Sequence, residues 1–291
     1  MDVRQVRYFL AVVETGTVHA AAARLHVAQP SVSQALRRLE RELGSDLFLR
    51  TGRRLVLTAA GRALVEPARD LVRALDVARA TVASVEGLHG GRLAVTSMPS
   101  QAVHPLPTMI AGFRRAHPGV SVGVATAPGP DEVCDAVRTG AAEVGLLATA
   151  NGPVLEPDLR VEPLFVQGYV VVARDAADLP AGDGPVELDA LRGLDLVVGQ
   201  HGTGMRRVAE AILSSTDCRI AVQVEQREAL LPLVLAGMGV AVVADSWRGL
   251  AEEAGLVVRP AATGESLHGA LVLPRTSASP AAAAFTRLAT R

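Results

Sequence analysis

Residues 16–44, GTVHAAAARLHVAQPSVSQALRRLERELG, constrain the fold more than any other part of the chain. Apolar residues in the second half recur at the spacing of one narrow helical face, at Val32, Leu36, Leu39 and Leu43. Polar and basic residues point away from that face, at Gln34, Arg37, Arg38 and Arg41. The first half is short and alanine-rich, which lets two helices cross closely. We therefore predict two helices joined by a tight turn at residues 26–28, the second with a buried apolar face and an exposed basic face.

A basic hairpin is predicted directly after this helix pair. Residues 47–57, LFLRTGRRLVL, indicate two short β-strands around a Thr-Gly turn. One amphipathic helix with arginines on its solvent face is common and indicates little. A helix pair followed by a basic hairpin is instead typical of a winged DNA-binding unit, in which the second helix enters the major groove and the hairpin contacts phosphates. We expect DNA contacts from Gln29, Pro30, Ser31, Ser33, Gln34, Arg37, Arg38, Arg50, Arg53 and Arg54.

The distribution of charge agrees with a nucleic-acid partner. Residues 1–62 contain ten arginines and five acidic residues, although the whole chain has a formal net charge of −1. A basic N-terminal segment therefore precedes an acidic remainder. Such a segment supplies the phosphate neutralisation that binding to double-stranded DNA requires.

A long helix is predicted next, from a cap at Thr58 to about residue 86. Apolar positions alternate by four and three residues, at Leu64, Ala68, Leu71, Leu75, Ala78, Val82 and Val85. This spacing is typical of a coiled-coil seam between two chains, and the alternative is one helix lying on its own domain. We expect dimerisation through Leu64, Leu71, Leu75 and Val82, and a kink at Pro67.

Beyond the glycine-rich residues 87–91, predicted strands alternate with predicted helices. A βαβαβ pattern covers residues 93–147, and a second alternating set covers residues 168–243. The βαβαβ pattern indicates a parallel sheet, and the two sets together indicate two α/β lobes. Residues 155–164 and 257–273 are predicted as passages between two lobes, so that the C-terminal helix at residues 281–290 returns to the first lobe.

The N-terminal pattern resembles the LysR-type transcriptional regulators. The resemblance is carried by the small-residue helix, the Gln29-Pro30 helix start, Leu39-Glu40, Leu43-Gly44, LFLR at residues 47–50 and LTAAG at residues 57–61. Ala28 departs from the family's usual serine, so the second helix lacks a side-chain N-cap, which costs about 1 kcal/mol. The resemblance implies dimerisation through the linker helix, with tetramers common in the family. GRLAV, FRRAHPGVSV and LAGMGVAVV are the better local matches in the remainder.

The resemblance also implies the fold class and the domain division. The class is α/β, with an N-terminal winged helix-turn-helix, a long linker helix and a two-lobed α/β effector domain of the type-2 periplasmic-binding-protein kind. The DNA-binding domain would span residues 1–58, the linker residues 59–90 and the effector domain residues 91–291. Lobe I would comprise residues 91–164 and 266–291, and lobe II residues 165–265.

Three loops follow the carboxyl ends of predicted strands, where α/β sheets bind ligands: residues 97–101, 148–150 and 199–204. Ordinary turn chemistry is the alternative explanation of each loop. Two of the loops precede helices, whose free N–H groups favour a small polar or carboxylate metabolite. The resemblance places the effector here, beside Gln226. The expected effector-binding residues are Ser97, Met98, Pro99, Ser100, Gln101, Thr149, Gln200, His201, Gly202, Thr203 and Gln226.

Two other functional classes fit the sequence less well. An α/β enzyme with an accessory DNA-binding domain needs a catalytic constellation, but the seven histidines are scattered and no serine lies in a nucleophile elbow. A solute-binding protein would carry a signal peptide, which the charged start does not resemble. Cys134 and Cys218 lack metal-ligand spacing, so we expect buried thiols and no metal or cofactor. We expect a cytoplasmic protein without a membrane partner, since the uncharged residues 229–244 are interrupted by Pro232, Gly237 and Gly239.

Overall fold

The computed structural model describes residues 1–51, 54–83, 91–150, 152–275 and 278–290. The chain divides into two compact units, Met1–Val85 and Glu86–Arg291, here called the N-terminal and the C-terminal unit. The N-terminal unit contains helices α1 (Val3–Thr15), α2 (Val18–Arg24) and α3 (Gln29–Leu43), an antiparallel hairpin of β1 (Phe48–Thr51) and β2 (Arg54–Leu57), and helix α4 (Ala59–Ala83). The predicted helix pair and hairpin are therefore confirmed.

The helix ends follow local capping chemistry. Asp2 accepts a hydrogen bond from the Gln5 N–H at 2.8 Å, and the Gln5 side chain accepts one from the Asp2 N–H at 2.6 Å, which completes a capping box. Helix α3 begins after Ala28 without a side-chain cap, as the sequence predicts. The turn between α2 and α3 places His26 in the left-handed region with a φ of 54°, so that the chain reverses within three residues.

The core of the N-terminal unit lies between α1, α2 and α3. Val32, Leu36 and Leu39 of α3 are buried in one cluster with Phe9 and Ala21. Leu43, the fourth position of the predicted apolar face, is 42% exposed. It lies in the last turn of α3, so the buried face is one turn shorter than predicted.

Helix α4 does not form a domain separate from the winged unit. Ala68 is buried in the core of the N-terminal unit, and Leu64 and Leu71 pack against the same core. Farther along α4, Leu75 is only partly buried and Val82 is 74% exposed. The predicted seam therefore has two halves: the first packs on its own unit, and the second is open to solvent. Helix α4 runs continuously through Pro67, and Val85 lies outside the described residues.

The start of α4 is fixed to the hairpin through Thr58 and Gly61. Thr58 caps α4 by accepting from the Gly61 N–H at 2.9 Å, and its own N–H donates to the Leu47 carbonyl at 3.0 Å. Gly61 lies so close to that carbonyl that a Cβ atom would overlap the oxygen. The Leu-Thr-x-Ala-Gly motif thus encodes a helix cap and a close backbone approach.

Gly61→Ala is expected to destabilise the N-terminal unit by about 1 to 3 kcal/mol, because a backbone oxygen cannot rotate away from the added methyl. Gly112→Ala is the matched control, since a Cβ at this helical glycine meets only the tip of Arg115 at 4.0 Å. The control should be neutral or stabilising by up to about 1 kcal/mol, from helix propensity alone. Calorimetric unfolding measures both variants, and an equal effect of the two would contradict the close-approach argument.

The C-terminal unit alternates strands and helices. Its strands are β3 (Arg92–Ser97), β4 (Ser121–Thr126), β5 (Val144–Ala150), β6 (Leu159–Gln167), β7 (Tyr169–Ala173), β8 (Val186–Glu187), β9 (Asp195–Val198), β10 (Arg219–Gln223), β11 (Ala241–Ala244), β12 (Val257–Ala262) and β13 (Leu267–Pro274). Its helices are α5 (Pro99–Val103), α6 (Leu106–Ala116), α7 (Pro130–Arg138), α8 (Gly204–Ser215), α9 (Leu230–Leu235), α10 (Arg248–Glu253) and α11 (Pro280–Ala289).

The predicted βαβαβ set is parallel, since β3 pairs in parallel with β4 and β5, but antiparallel strands that the sequence did not predict make the sheets mixed. In lobe I the order is β4-β3-β5-β13-β6, with β13 antiparallel to both of its neighbours. In lobe II β7 pairs antiparallel with β11 and β12, β12 pairs parallel with β8, and β9 pairs parallel with β10. The stretches predicted as passages between the lobes contain all of strand β12 and most of strands β6 and β13, and the described residues of the C-terminal unit cross between the lobes at two points. One crossing is at Gly168, directly after β6. The predicted lobe boundary at residues 164/165 therefore falls inside β6. The other crossing lies between β12 and β13.

Lobe I contains two buried apolar clusters and lobe II one, which also includes Ala148 and Leu267 of lobe I. Phe113 of α6 and Phe285 of α11 stack edge-on in lobe I with ring centroids 5.6 Å apart, so the C-terminal helix returns to this lobe as predicted. Trp247 is fully buried in lobe II. Cys134 and Cys218 are buried free thiols, and burial raises the pKa of the Cys134 thiol to about 12. Across the described ranges, no helix combines the length and the apolar character needed to cross a bilayer.

Candidate DNA interface and effector cleft

The solvent face of α3 carries most of the predicted DNA-binding residues. Gln29, Pro30, Ser31, Gln34, Arg37 and Arg38 are exposed, and Ser33 is half-buried. They share one face because Val32, Leu36 and Leu39 turn the opposite face into the core. The arrangement presents amide and guanidinium groups of the kinds that bind base edges and phosphates.

The arginines of this face differ in their partners. Arg38 forms an ion pair with Glu42, whose carboxylate also contacts the Met1 amino group. These cations hold the pKa of Glu42 at about 2. Arg37 has no carboxylate partner among the described residues. Its charge is therefore the more available to a bound anion.

Two backbone N–H groups of the hairpin segment attach it to the helices, one through a side-chain carboxylate and one through a backbone carbonyl. Glu40 of α3 accepts from the Leu47 N–H at 2.9 Å, and the Leu55 N–H donates to the Gly16 carbonyl at 3.0 Å. In the Leu39-Glu40 pair of the motif, Leu39 therefore packs in the core and Glu40 bonds the hairpin segment. Of the predicted hairpin cations, Arg53 lies outside the described residues, as do the side chains of Arg50 and Arg54.

A cleft of about 370 Å³ lies between the lobes of the C-terminal unit. Lobe I contributes the end of β5 and the short helix α5, and lobe II contributes the start of α8 and the turn after β10. The lining residues are Met98, Ser100, Gln101, Pro130, Ala148, Thr149, Ala150, Gly202, Thr203, Gly204, Met205, Arg207, Glu210, Arg227 and Leu267. The volume suits a small organic molecule.

The structure brings six of the predicted effector residues to this cleft: Met98, Ser100, Gln101, Thr149, Gly202 and Thr203. Thr149 lies in strand β5 and not in a loop, and Ser100 and Gln101 lie on α5. The Thr203 hydroxyl caps α8 by accepting from the Arg206 N–H at 3.1 Å, so its place at the cleft follows from that helix start.

The other predicted effector residues do not line the cleft: Ser97, Pro99, Gln200, His201 and Gln226. Ser97 is fully buried and donates to the Met98 carbonyl at 2.8 Å. His201 is exposed, and its Nδ1 lies 2.8 Å from Glu210. Arg206 explains the position of this loop, because its buried guanidinium bonds the Gly199 carbonyl, His201 and Glu210. These bonds hold the His201 ring beside Glu210.

Sequence reasoning missed Arg227, the residue after Gln226. Arg227 lines the cleft with only 2% of its surface exposed, and its Nη1 donates to Ser100 Oγ at 2.6 Å. Burial lowers the pKa of this guanidinium. In the sequence Arg227 begins a segment predicted as a helix, residues 227–236, and arginine is normally an exposed residue. The only sequence signal was therefore its adjacency to the predicted loops.

Ser100 joins the two lobes. Its hydroxyl accepts from Arg227 of lobe II, and its carbonyl accepts from the buried Trp247 Nε1 at 3.2 Å, also from lobe II. The floor of the cleft is thus a contact between the lobes. A ligand in the cleft would therefore lie against residues that join the two lobes.

Comparison with known proteins decides the family. One family model, the LysR substrate binding domain, matches residues 86–291, and a second, the bacterial regulatory helix-turn-helix protein of the lysR family, matches residues 3–62. The chain belongs to the LysR family. It is a LysR-type DNA-binding transcriptional regulator with an effector-binding domain.

Relatives of similar length support the assignment. The chain is 32% identical over 250 residues to the HTH-type transcriptional regulator TfdS of Cupriavidus pinatubonensis, covering 84% of this chain and 82% of TfdS. It is 30% identical over 260 residues to the HTH-type transcriptional regulator IlvR of Caulobacter vibrioides, covering 86% of this chain and 85% of IlvR. These relatives are regulators, as the sequence predicts for this chain.

Solved LysR-type structures share the fold. A full-length OxyR variant from Pseudomonas aeruginosa superimposes with a TM-score of 0.71 at 23% identity, covering 99% of this chain and 93% of that one. CbnR in complex with its target DNA superimposes with a TM-score of 0.56 at 24% identity, covering 99% and 98%. Within the described part of this LysR-type chain, no group of three or more histidine, cysteine or acidic residues is placed to bind a metal ion.

Proposed function

We propose that this regulator binds double-stranded DNA as a homodimer and that a small polar or carboxylate metabolite in the lobe cleft resets that binding, with no catalysed reaction. The observation that carries the regulatory part is the Ser100 contact between the lobes at the floor of the cleft. A ligand that lies against this contact changes the balance between lobe arrangements. Pairing of dimers into tetramers remains an expectation drawn from the family.

The proposed DNA-binding domain covers residues 1–58, with α3 in the major groove and the hairpin beside the phosphates. The exposed face of α3 supports this placement, since Gln34 and Arg37 lie on the side opposite the core. The complex of CbnR with its target DNA supports it by analogy of fold. Base preference would come from α3, and salt-dependent affinity from the arginines.

The proposed dimer contact lies on the second half of α4, within a linker of residues 59–90. Leu75 and Val82 supply apolar surface there, whereas Leu64 and Leu71 already pack on their own unit. Leu64 and Leu71 would therefore support the dimer indirectly, by fixing α4 to the core. A partner α4 would cover Val82, which is 74% exposed in the single chain.

The proposed effector domain covers residues 91–291, and its ligand acts through differential affinity. A ligand shifts an equilibrium only if it binds one lobe arrangement more tightly than the other. A preference of about 1 to 3 kcal/mol is typical of such coupling. The N-terminus of α8 adds free N–H groups at Gly204 and Met205 that suit an anion.

Ala150→Trp is expected to abolish the response of DNA binding to the effector. Ala150 ends β5 at the cleft, where it is partly exposed and packs against the apolar core of lobe II, so an indole there would fill the ligand volume. Footprinting would first identify the DNA upstream of the coding region that the protein binds. A mobility-shift assay would then measure binding to that DNA in the presence of each compound of a metabolite library. Active compounds would then be tested on the variant.

Ala141→Trp is the matched control, since Ala141 is exposed and precedes the opposite end of β5. The control should retain the full ligand response. An unchanged response in Ala150→Trp would place the ligand outside this cleft and refute the proposed effector site.

A further inference from the structure

Three charged residues line the cleft, and two of them are already paired. Arg207 Nε lies 3.0 Å from Glu265, and Glu210 lies 2.9 Å from Arg206 Nε. Arg227 has no carboxylate within ion-pair distance among the described residues. Glu228 acts on Arg227 only at longer range, so the cleft wall holds one positive charge without a paired carboxylate.

The guanidinium of Arg227 is also short of hydrogen-bond acceptors. It is 2% exposed, and Ser100 Oγ accepts from Nη1 at 2.6 Å. Its Nε and Nη2 atoms are buried and have no hydrogen-bond partner among the residues that the structure describes. Arginine remains protonated in proteins, so it cannot avoid this situation by losing its proton. A buried cation with unpaired donors is unfavourable unless an anion completes it.

On the basis of the proposed function, we infer that the effector is a monocarboxylic acid whose carboxylate pairs with Arg227 beside Ser100. A carboxylate offers two acceptor oxygens to a guanidinium fork and neutralises its charge. No other described lining residue offers an unpaired cation. Arg227 is thus the residue that selects acids over neutral molecules.

The rest of the cleft favours a single charge and an apolar body. Hydrogen bonding from Arg206 lowers the pKa of Glu210, so this lining residue stays anionic and would repel a second carboxylate. Met98, Met205 and Leu267 supply apolar lining. A compact aromatic or branched aliphatic acid fits these surfaces and the volume of about 370 Å³ better than a dicarboxylate does.

The test compares matched acids and amides as probes. Phenylacetate, hexanoate and cyclohexanecarboxylate are added at millimolar concentration to the full-length protein, each beside its primary amide, with glutarate as the dicarboxylate. At least one monocarboxylate should raise the melting temperature, while its amide and glutarate do not. Equal shifts for an acid and its amide, or no shift with any of the acids, would overturn the inference.

Arg227→Met is expected to weaken binding of the responding acid by roughly ten- to hundred-fold in calorimetric titration, because the charge-assisted hydrogen bonds to the carboxylate are lost. Arg227→Lys should retain part of the affinity for the acid. Arg207→Met is the matched control, because this lining arginine is already paired with Glu265, and it should keep the preference for the acid. Acid preference that survives in Arg227→Met would refute the assignment.

The ligand-free protein gives a second readout. Arg227→Met should raise its melting temperature, because the substitution removes a buried cation that has unbonded donors and no paired carboxylate. A lower melting temperature would instead show a structural arginine that bonds Ser100, and would count against the inference. If Arg227→Met still responds to the acid and Ala150→Trp does not, the inference fails and the proposed function stands. If both variants respond, both fail.

Discussion

Val82→Glu is expected to convert the protein into monomers and to lower its affinity for operator DNA by roughly 10²- to 10⁴-fold. Val82 is 74% exposed on the second half of α4, so the substitution costs the single chain little. In a dimer it would place an unpaired charge within an apolar seam, which is heavily penalised. The affinity loss follows because two linked DNA-binding units gain from their effective concentration. Sedimentation velocity and mobility-shift titration measure the two effects.

Two further variants of α4 separate dimerisation from folding. Ala74→Glu changes an exposed residue that flanks the seam, at a position where coiled coils accept charge, and should remain dimeric. Leu71→Glu should unfold the N-terminal unit, since Leu71 packs against its core, and circular dichroism would detect the loss of helix. A Val82→Glu protein that sediments like the unmodified protein would place the dimer contact elsewhere.

The linker shows what apolar spacing can and cannot predict. The alternation by four and three from Leu64 to Val82 correctly predicts a long helix with one apolar face. It cannot predict which surface covers each part of that face. In the structure, Ala68 and its neighbours are covered by α1 and the rest of the winged core, through contacts distant in sequence. Only the second half of the face remains open for another chain.

The mixed sheets were missed for a related reason. Strand β13 carries a nearly continuous apolar run, and all but one of its residues are buried between β5 and β6. The sequence predicts residues 257–273 only as a passage between the lobes, because an apolar run does not show which strands will flank it or in which direction it runs. The βαβαβ alternation of residues 93–147 correctly predicts parallel pairing of β3 with β4 and β5, but it carries no information on a strand that comes from near the end of the chain.

The effector cleft was predicted at the level of elements and less well at the level of side chains. The carboxyl ends of β3 and β5 and the start of α8 do converge, because strand direction determines where their loops lie. Side-chain orientation depends on local anchors that the sequence does not display. Arg206 turns the residue 199–203 loop so that His201 faces Glu210, and a short turn after β10 carries Arg227 inward.

Arg37→Ala is expected to cost about 1 to 3 kcal/mol of specific DNA binding and to relax the preference at one or two base pairs. Gln34→Ala should act in the same way, since its side chain is exposed on the same face of α3. Arg38→Ala is the matched comparison. Arg38 is already paired with Glu42, so its loss should cost less and leave base preference intact. Titration against a set of single-base operator variants measures both quantities.

The hairpin cations should act through salt dependence and not through base preference. Affinity for the operator is expected to fall steeply as salt rises, because bound phosphates release their counterions. Arg53→Ala should reduce the slope of log affinity against log salt by about one, equally for operator and unrelated DNA. Arg37→Ala would instead lower affinity for the operator more than for unrelated DNA. Equal affinity at low and high salt would contradict phosphate contacts by this unit, and an Arg53→Ala effect confined to the operator would make that arginine a base contact.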